Sequence, residues 1–280
     1  MSRGVLLFQS LDQPGIVATI SDFMFEKGGN IVSLDQYSTD PQGGYFFLRM
    51  EVSFEKEVHF ESLRQAIAVI AKKFEGSWHW NDLEKLPNVG ILVSKQGHCL
   101  VDLLYHFANK ELSVNVAFIV SNHPDHEALA NHYKIPYYHL PVTSDDKKEK
   151  EILEIVKSKT DFLVLARYMQ ILSKGFLADY AKPVINIHHS FLPSFIGANP
   201  YAQAYHRGVK LIGATAHYVT ENLDEGPIIE QAVERVSHRD SQKSLRTKGK
   251  RLEQLALFRA VTLHSQHKII SHKNKTIVFN

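Results

Sequence analysis

The chain has 280 residues, 44% hydrophobic and 22% charged, with a formal net charge of +2 and a single cysteine. That length exceeds an ordinary single domain and predicts two, and the apolar share is enough for a packed core, which excludes a disordered chain. Lys and Arg are scattered, no apolar run approaches the roughly 20 residues of a membrane span, Cys99 cannot pair within the chain, and the first residues lack a signal-peptide pattern; these features predict a soluble, cytoplasmic protein without a nucleic-acid or membrane partner.

Gly4 to Ser10 reads as a buried strand, and Asp12-Gln13-Pro14-Gly15 as a turn in which Pro14 pre-sets φ. Ile16, Ile20, Phe23 and Met24 fall at helical spacing, and Gly28-Gly29-Asn30 supplies the stop. Residues 31–39 and 45–54 read as strands around the turn Asp40-Pro41-Gln42-Gly43-Gly44, followed by an amphipathic helix over 59–73 (Leu63, Ile67, Ile70, then Phe74) and a short strand over 77–82. This βαββαβ order, with Asp12-x-Pro14-Gly15, resembles an ACT domain, a ferredoxin-like module, over residues 1–83. The resemblance implies a regulatory or oligomerisation unit, a homo-oligomer formed through it, and an amino-acid effector site including Asp12, Pro14, Gly15 and Asn30. On the residues alone, the same turn also serves simply to join a strand to a helix.

Residues 84–88, short and polar with Pro87, read as a connection, and the pattern then changes. Runs at 89–93, 114–120, 161–165 and 184–187 are apolar, β-branched and separated by helical stretches, which predicts a Rossmann-like, mostly parallel sheet covered on both faces over 88–280. Such sheets hold ligands at the carboxyl ends of their strands, and Cys99, Ser121 to Asp125, Arg167-Tyr168-Met169 and His188 all follow strands. The charge run from Asp145 to Glu151 predicts the start of a solvated helix with Ile152, Leu153, Ile155 and Val156 on its apolar face.

Asn186 and His188 are one residue apart, so an extended strand points both to the same face. An amide and an imidazole side by side suit hydrogen bonding to an acyl oxygen and proton transfer, and Asp224, on a loop shaped by Gly226 and Pro227, supplies a carboxylate to orient them. Between these, 191–195 reads as an apolar loop, Asn199-Pro200 as a helix start, and Leu211 to Val219 as a further strand. A buried His–Asp pair is also a common structural device. His189, His206 and His217 read as structural or as supports behind the reacting groups, no set of residues has zinc-ligand spacing, and Cys99 has no assignable base. The expectation is chemistry without a metal or bound cofactor.

Asn186-Ile187-His188-x-Ser190-hydrophobic-Leu192-Pro193 with the downstream Asp224 resembles the folate-dependent formyltransferase superfamily over residues 88 to 280. The resemblance implies Asn186, His188 and Asp224 as the catalytic trio and a folate pocket formed by Arg167, Tyr168, Met169, Gln170, Leu172, Leu223, Glu225 and Gly226. Transferases of this superfamily that use glycinamide ribonucleotide carry a Gly-x-Gly-Ser-Asn loop that holds the acceptor's phosphate. Here the matching stretch is Lys95-Gln96-Gly97-His98-Cys99-Leu100. With the ACT-like front, His98-Cys99-Leu100 and Phe195-Ile196-Gly197-Ala198, the whole chain resembles the superfamily's hydrolases. That implies 10-formyltetrahydrofolate as substrate, formate and tetrahydrofolate as products, and a role in supplying formate for purine synthesis and balancing the one-carbon folate pool. The other readings are a transferase to an amine acceptor and a non-enzymatic folate or amino-acid sensor; the intact trio argues against the sensor.

Overall fold

A computed structural model describes residues 2–40, 43–55, 58, 60–143, 145–194 and 199–279. Pro41 and Gln42 of the first hairpin turn, His59 at the start of the second helix and the 195–198 stretch lie outside the described residues. Contacts divide the chain into one unit of Met1–Leu86 with His267–Ile270 and Ile277–Asn280, and another of Pro87–Gln266 with Ser271–Thr276. The sequence pattern ran the second domain from 88 to 280; the structure instead groups two short pieces near the chain's end with the N-terminal unit.

The N-terminal unit follows the order β1 (Ser2–Leu11), α1 (Ile16–Glu26), β2 (Gly29–Ser38), β3 (Tyr45–Phe54), α2 (Phe60–Lys73), β4 (Ser77–Asp82), with an antiparallel sheet ordered β2-β3-β1-β4. This is the ferredoxin-like arrangement. Gly15, at φ +91°, turns the chain into α1, and Gly28, at φ +75°, follows its last turn; both conformations favour glycine. The stop is sharper than expected, because Gly29 and Asn30 already belong to β2. Ile16, Ile20 and Met24 of α1 and Leu63, Ile67 and Ala71 of α2 bury their stripes with Leu6, Phe8, Leu48, Met50 and Trp80 of the sheet. Phe47 packs with Ile270 and Phe279, and Arg49 Nε donates to the His267 carbonyl at 3.1 Å, which accounts for the late segments joining this unit.

In the second unit, β5 (Asn88–Val93), α3 (His98–Ala108), β6 (Asn115–Ser121), α4 (Glu127–His132), β7 (Tyr137–His139), α5 (Glu149–Val156), β8 (Phe162–Leu165), α6 (Lys174–Tyr180) and β9 (Val184–His188) alternate. They are followed by α7 (Pro200–Arg207), β10 (Leu211–Tyr218), β11 (Ile228–Arg235) and α8 (Gln242–Ser265), and the last strands, β12 (Ile269–His272) and β13 (Lys275–Val278), pair with each other. The sheet order is β11-β10-β9-β8-β5-β6-β7, parallel from β9 through β7 and antiparallel at β9·β10 and β10·β11. α5 buries Ile152 and Val156, with Leu153 and Ile155 packed at the margin of the same cluster. β7 and the 24-residue α8 carry no strong sequence signal: β7 has only three residues, and α8 is polar enough that its buried stripe is diluted. No described helix is long and apolar enough to cross a membrane.

The strands that carry the site are held closely. Gly90 on β5 lies against Phe118 of β6 and Leu163 of β8, and a Cβ there would stand 2.7 Å and 2.8 Å from their side chains. Gly90→Val should therefore overpack the sheet and lower stability by about 1–3 kcal/mol, read as a lower urea midpoint with an unchanged slope.

Candidate active site

β9 ends with Asn186 and His188 on one face, as its extended backbone requires, and Ile187 buried between them. Pairing with antiparallel β10 places His217 directly opposite Asn186 and Thr215 opposite His188. The register of β10 with β11 shifts between Ala216 and His217, an irregularity of the kind that re-aims a side chain beside a site. Thr215 then fixes the loop after β9: its hydroxyl donates to the Ser190 carbonyl at 2.9 Å and accepts from Leu192 N–H at 3.0 Å. The Leu192–Pro193 peptide is cis. Asn199 precedes α7 as expected, but at φ +57° it makes no side-chain cap, so the predicted capping bond is absent; Pro200 occupies the first turn.

Asp224 reaches the same point from the loop between β10 and β11. Tyr218 N–H bonds the Pro227 carbonyl at 3.0 Å, and a Cβ on Gly226 would lie 1.8 Å from the Tyr218 carbonyl oxygen, so only glycine closes this turn. Asp224 itself takes φ +57°. Its Oδ2 stands 3.2 Å from His188 Nδ1 and its Oδ1 3.6 Å from His217 Nε2. The hydrogen bond from His188, against the opposing effect of partial burial, holds this carboxyl far below the usual range.

Nδ1 of His217 faces the Tyr218 carbonyl at 2.9 Å, which assigns the proton to that nitrogen. In the neutral ring Nε2 is then an acceptor, and Asn186 Nδ2 lies 3.2 Å from it. One amide hydrogen is thereby occupied and the other remains for a ligand. His188 is buried, its Nδ1 is committed to Asp224, and its Nε2 has no hydrogen-bond partner among the described residues. His217, for which the sequence pattern left a structural or a supporting role, accepts from Asn186 and stands beside Asp224 Oδ1. Cross-strand register is the signal that would have found it, and one sequence does not contain that register.

These groups line a cleft of about 550 Å³ bounded by Leu165 to Leu172 on one side and Val219 to Asp224 on the other. Arg167, Tyr168, Met169, Gln170, Leu172 and Leu223 all border it. Glu225 and Gly226 do not: Glu225 accepts from Asn222 Nδ2 at 2.9 Å, and Gly226 packs on Tyr218, so both shape the loop. Tyr168 and Leu172 are mostly buried in the core beneath, and burial pushes the Tyr168 hydroxyl up to about 12. Ser94, at the end of β5, ties the segment down, donating its N–H to the Arg167 carbonyl at 3.3 Å and accepting from Met169 N–H at 2.9 Å through its hydroxyl.

The proposed effector positions are not brought together within one chain. Asp12 and Gly15 lie where β1 ends, near Gly44 and Ser38, whereas Asn30 pairs with Ser53 at the opposite end of the sheet, roughly 25 Å away along the strands. Pro14 lies beside Gly15 in the turn before α1.

His98, Cys99 and Glu253 place ligand-type atoms within 4.8 Å of one another, so Cys99 is less isolated than its sequence position suggests. The chemistry opposes a metal there. Burial and then Glu253 push the Cys99 thiol well up, and Arg167 Nε already stands 3.4 Å from Glu253 Oε2. His206 is exposed on α7.

The formyl transferase family pattern matches residues 87–261. The chain is 47% identical over 287 residues to a formyltetrahydrofolate deformylase of Bacillus subtilis, covering 99% of this chain and 94% of that one. A formyltetrahydrofolate deformylase structure from Pseudomonas syringae superposes with a TM-score of 0.94 at 43% identity, covering 100% of this chain and 95% of the other. A phosphoribosylglycinamide formyltransferase from Anaplasma phagocytophilum matches at TM-score 0.65 and 34% identity over 70% of this chain and 96% of its own.

His189 gives the site a measurable pH signature. Burial, then the Arg167 charge, lowers it to about 4 from 6.5, so the folded protein resists a proton that the unfolded chain accepts. Stability associated with His189 is complete above pH 6.5 and falls as pH drops toward 4. His189→Gln should flatten this part of the pH–stability curve by about 2–3 kcal/mol, measured by urea unfolding at a series of pH values.

Proposed function

The chain belongs to the formyl transferase family and, within it, to the formyltetrahydrofolate deformylases, and we propose that its cleft directs water at the formyl carbon of 10-formyltetrahydrofolate. The products are formate and tetrahydrofolate. The single observation that carries the mechanism is His188, buried with Nδ1 on the Asp224 carboxylate and Nε2 without a hydrogen-bond partner among the described residues.

In the proposed cycle the folate ring lies between the Arg167 to Leu172 segment and Leu223, bordered by backbone groups. Water adds to the formyl carbon, and negative charge builds on the formyl oxygen. The free Nδ2 hydrogen of Asn186 and a protonated His188 Nε2 donate to that oxygen as the charge develops, which is where a fixed donor lowers the barrier most. Asp224 holds the His188 ring through Nδ1 and also accepts from the attacking water. Collapse breaks the carbon–nitrogen bond, N10 takes a proton from His188 directly or through water, one proton of the attacking water passes by way of Asp224 to restore His188, and formate leaves with the other proton released to solvent. Every proton and charge is handled by side chains, so the scheme uses no metal and no bound cofactor.

His217 acts through Asn186, accepting from its amide and keeping it turned toward the substrate. Transfer to an amine is the competing reaction of the same constellation, and formate release without any acceptor separates the two. With a lone cysteine and no disulfide, the protein suits the reducing cytoplasm.

The ferredoxin-like unit is proposed to join copies of the chain into a homo-oligomer. Because Asp12 to Gly15 and Asn30 lie at opposite ends of one sheet, an amino-acid site using both takes one segment from each of two chains. Sedimentation should then give a mass above one chain, and one member of an amino-acid panel should raise the melting temperature and change the rate together. A monomer, or no response to any amino acid, counts against this part.

Removing one group of the trio should lower formate release by about a hundredfold or more. Asn186→Ala, His188→Ala and Asp224→Asn are each measured for formate production and for folate binding. Retained binding with lost turnover is the expected result, and near-normal turnover would sink the assignment.

A further inference from the structure

Arg167 is the one Arg or Lys among the described residues that line the cleft, where the carboxylates are Glu221 and Asp224. It is 7% exposed, yet its Nε has no hydrogen-bond partner among the described residues. Glu253 Oε2 stands 3.4 Å away and balances the charge without taking that N–H. The oxygens of Glu253 are engaged elsewhere, Oε2 with His98 Nε2 at 2.8 Å and Oε1 with Tyr201 Oη at 2.7 Å. A buried guanidinium with an open donor costs stability until a ligand answers it.

The main chain is held so as to present this side chain. Arg167 takes φ +65°, a left-handed conformation uncommon outside glycine and of the kind that collects at functional sites. Ser94 N–H bonds its carbonyl at 3.3 Å and the Ser94 hydroxyl accepts from Met169 N–H at 2.9 Å, so the segment is tied to β5 on both sides of the turn. His189 connects Arg167 to the trio. Its ring centroid lies 5.1 Å from that of His188, and the Arg167 charge, after burial, keeps it neutral. A neutral imidazole has one N–H to give, and Gln96 adds an amide to the same lining. Donors thus gather on the Arg167 side of the cleft, while Asp224 puts negative charge at the reacting groups.

We propose that Arg167, with His189, forms a carboxylate subsite that takes the formate product as it leaves the trio. The inference rests on the deformylase reading and deepens it. Hydrolysis turns a neutral formyl group into an anion beside the Asp224 carboxylate, and like charges repel. The guanidinium fork matches both oxygens of a planar carboxylate, and formate is the smallest one. Arg167 therefore supplies the attraction that Asp224 denies, and formate passes from the reacting groups to the buried wall before it leaves. Folate also carries carboxylates, which share this chemistry, and the experiment separates the two sources.

The test adds sodium formate to the full-length protein at constant ionic strength, with chloride as the control anion, and reads tetrahydrofolate release and melting temperature. Millimolar formate should slow the wild type and raise its melting temperature, and chloride should do neither. Arg167→Gln, which removes the charge, should need at least about tenfold more formate for the same inhibition and the same shift. Arg167→Lys keeps the charge but loses the fork and should fall between the two. A wild type that ignores formate overturns the subsite, and so does a folded Gln variant as sensitive as the wild type. Should the Gln variant fail to fold, a Lys variant equal to the wild type overturns it instead. The formate shift should persist in saturating tetrahydrofolate; its loss there assigns Arg167 to a folate carboxylate and overturns the product subsite. No tetrahydrofolate released by the wild type would be a failure of the deformylase reading alone, and the melting shifts would still judge the subsite.

Discussion

The site depends on one carboxylate shared by two imidazoles. Asp224 stands 3.2 Å from His188 and 3.6 Å from His217, and Asn186 meets His217 from the other side, so three chain segments are closed into one network. A partly buried carboxylate is held as an anion by a donor such as His188 Nδ1, and that bond keeps the Asp224 pKa far below its usual range. The positive φ of Asp224 and the closed turn at Gly226 hold the backbone strain that this placement needs. The network fixes the orientation of Asn186 and His188 toward the cleft.

A second buried carboxylate organises the neighbouring space differently. Glu253 Oε2 faces His98 Nε2 at 2.8 Å and Arg167 Nε at 3.4 Å, and its Oε1 accepts from Tyr201 Oη, so three groups enclose it, whereas His188 Nε2 has no partner among the described residues. Arg167 borders the cleft through its backbone and faces Glu253 through its Nε. Ser94 holds that backbone from β5, which makes a small, buried hydroxyl as important to the cleft wall as any charged residue.

Much of the architecture was legible in the chain itself. Each strand and helix of the N-terminal unit carries its own periodicity and turn residues, so local pattern and final fold agree. The parallel strands β5, β6, β8 and β9 were visible as short apolar runs, because both of their faces are buried. β7 was too short to show a period, and α8 mixes a buried stripe with many charges. The grouping of the late segments with the N-terminal unit was hidden too, since Phe47 lies more than 200 residues before Ile270 and Phe279 along the chain.

The sequence by itself determined the chemistry available: Asn186 and His188 one residue apart on a strand, an aspartate held by a Gly-Pro turn, and an apolar segment ending in Arg167-Tyr168-Met169. It also established the ferredoxin-like and mostly parallel units, because spacing and turn residues are local properties. Only the tertiary structure decided that His217 completes the network, that Glu225 and Gly226 shape a loop rather than face the cleft, that Asn30 lies far from Asp12, and that Glu253 reaches His98 across the chain. Each of these depends on strand register or on helix packing between distant residues, and a one-residue slip in register would turn His217 to the other face of its strand.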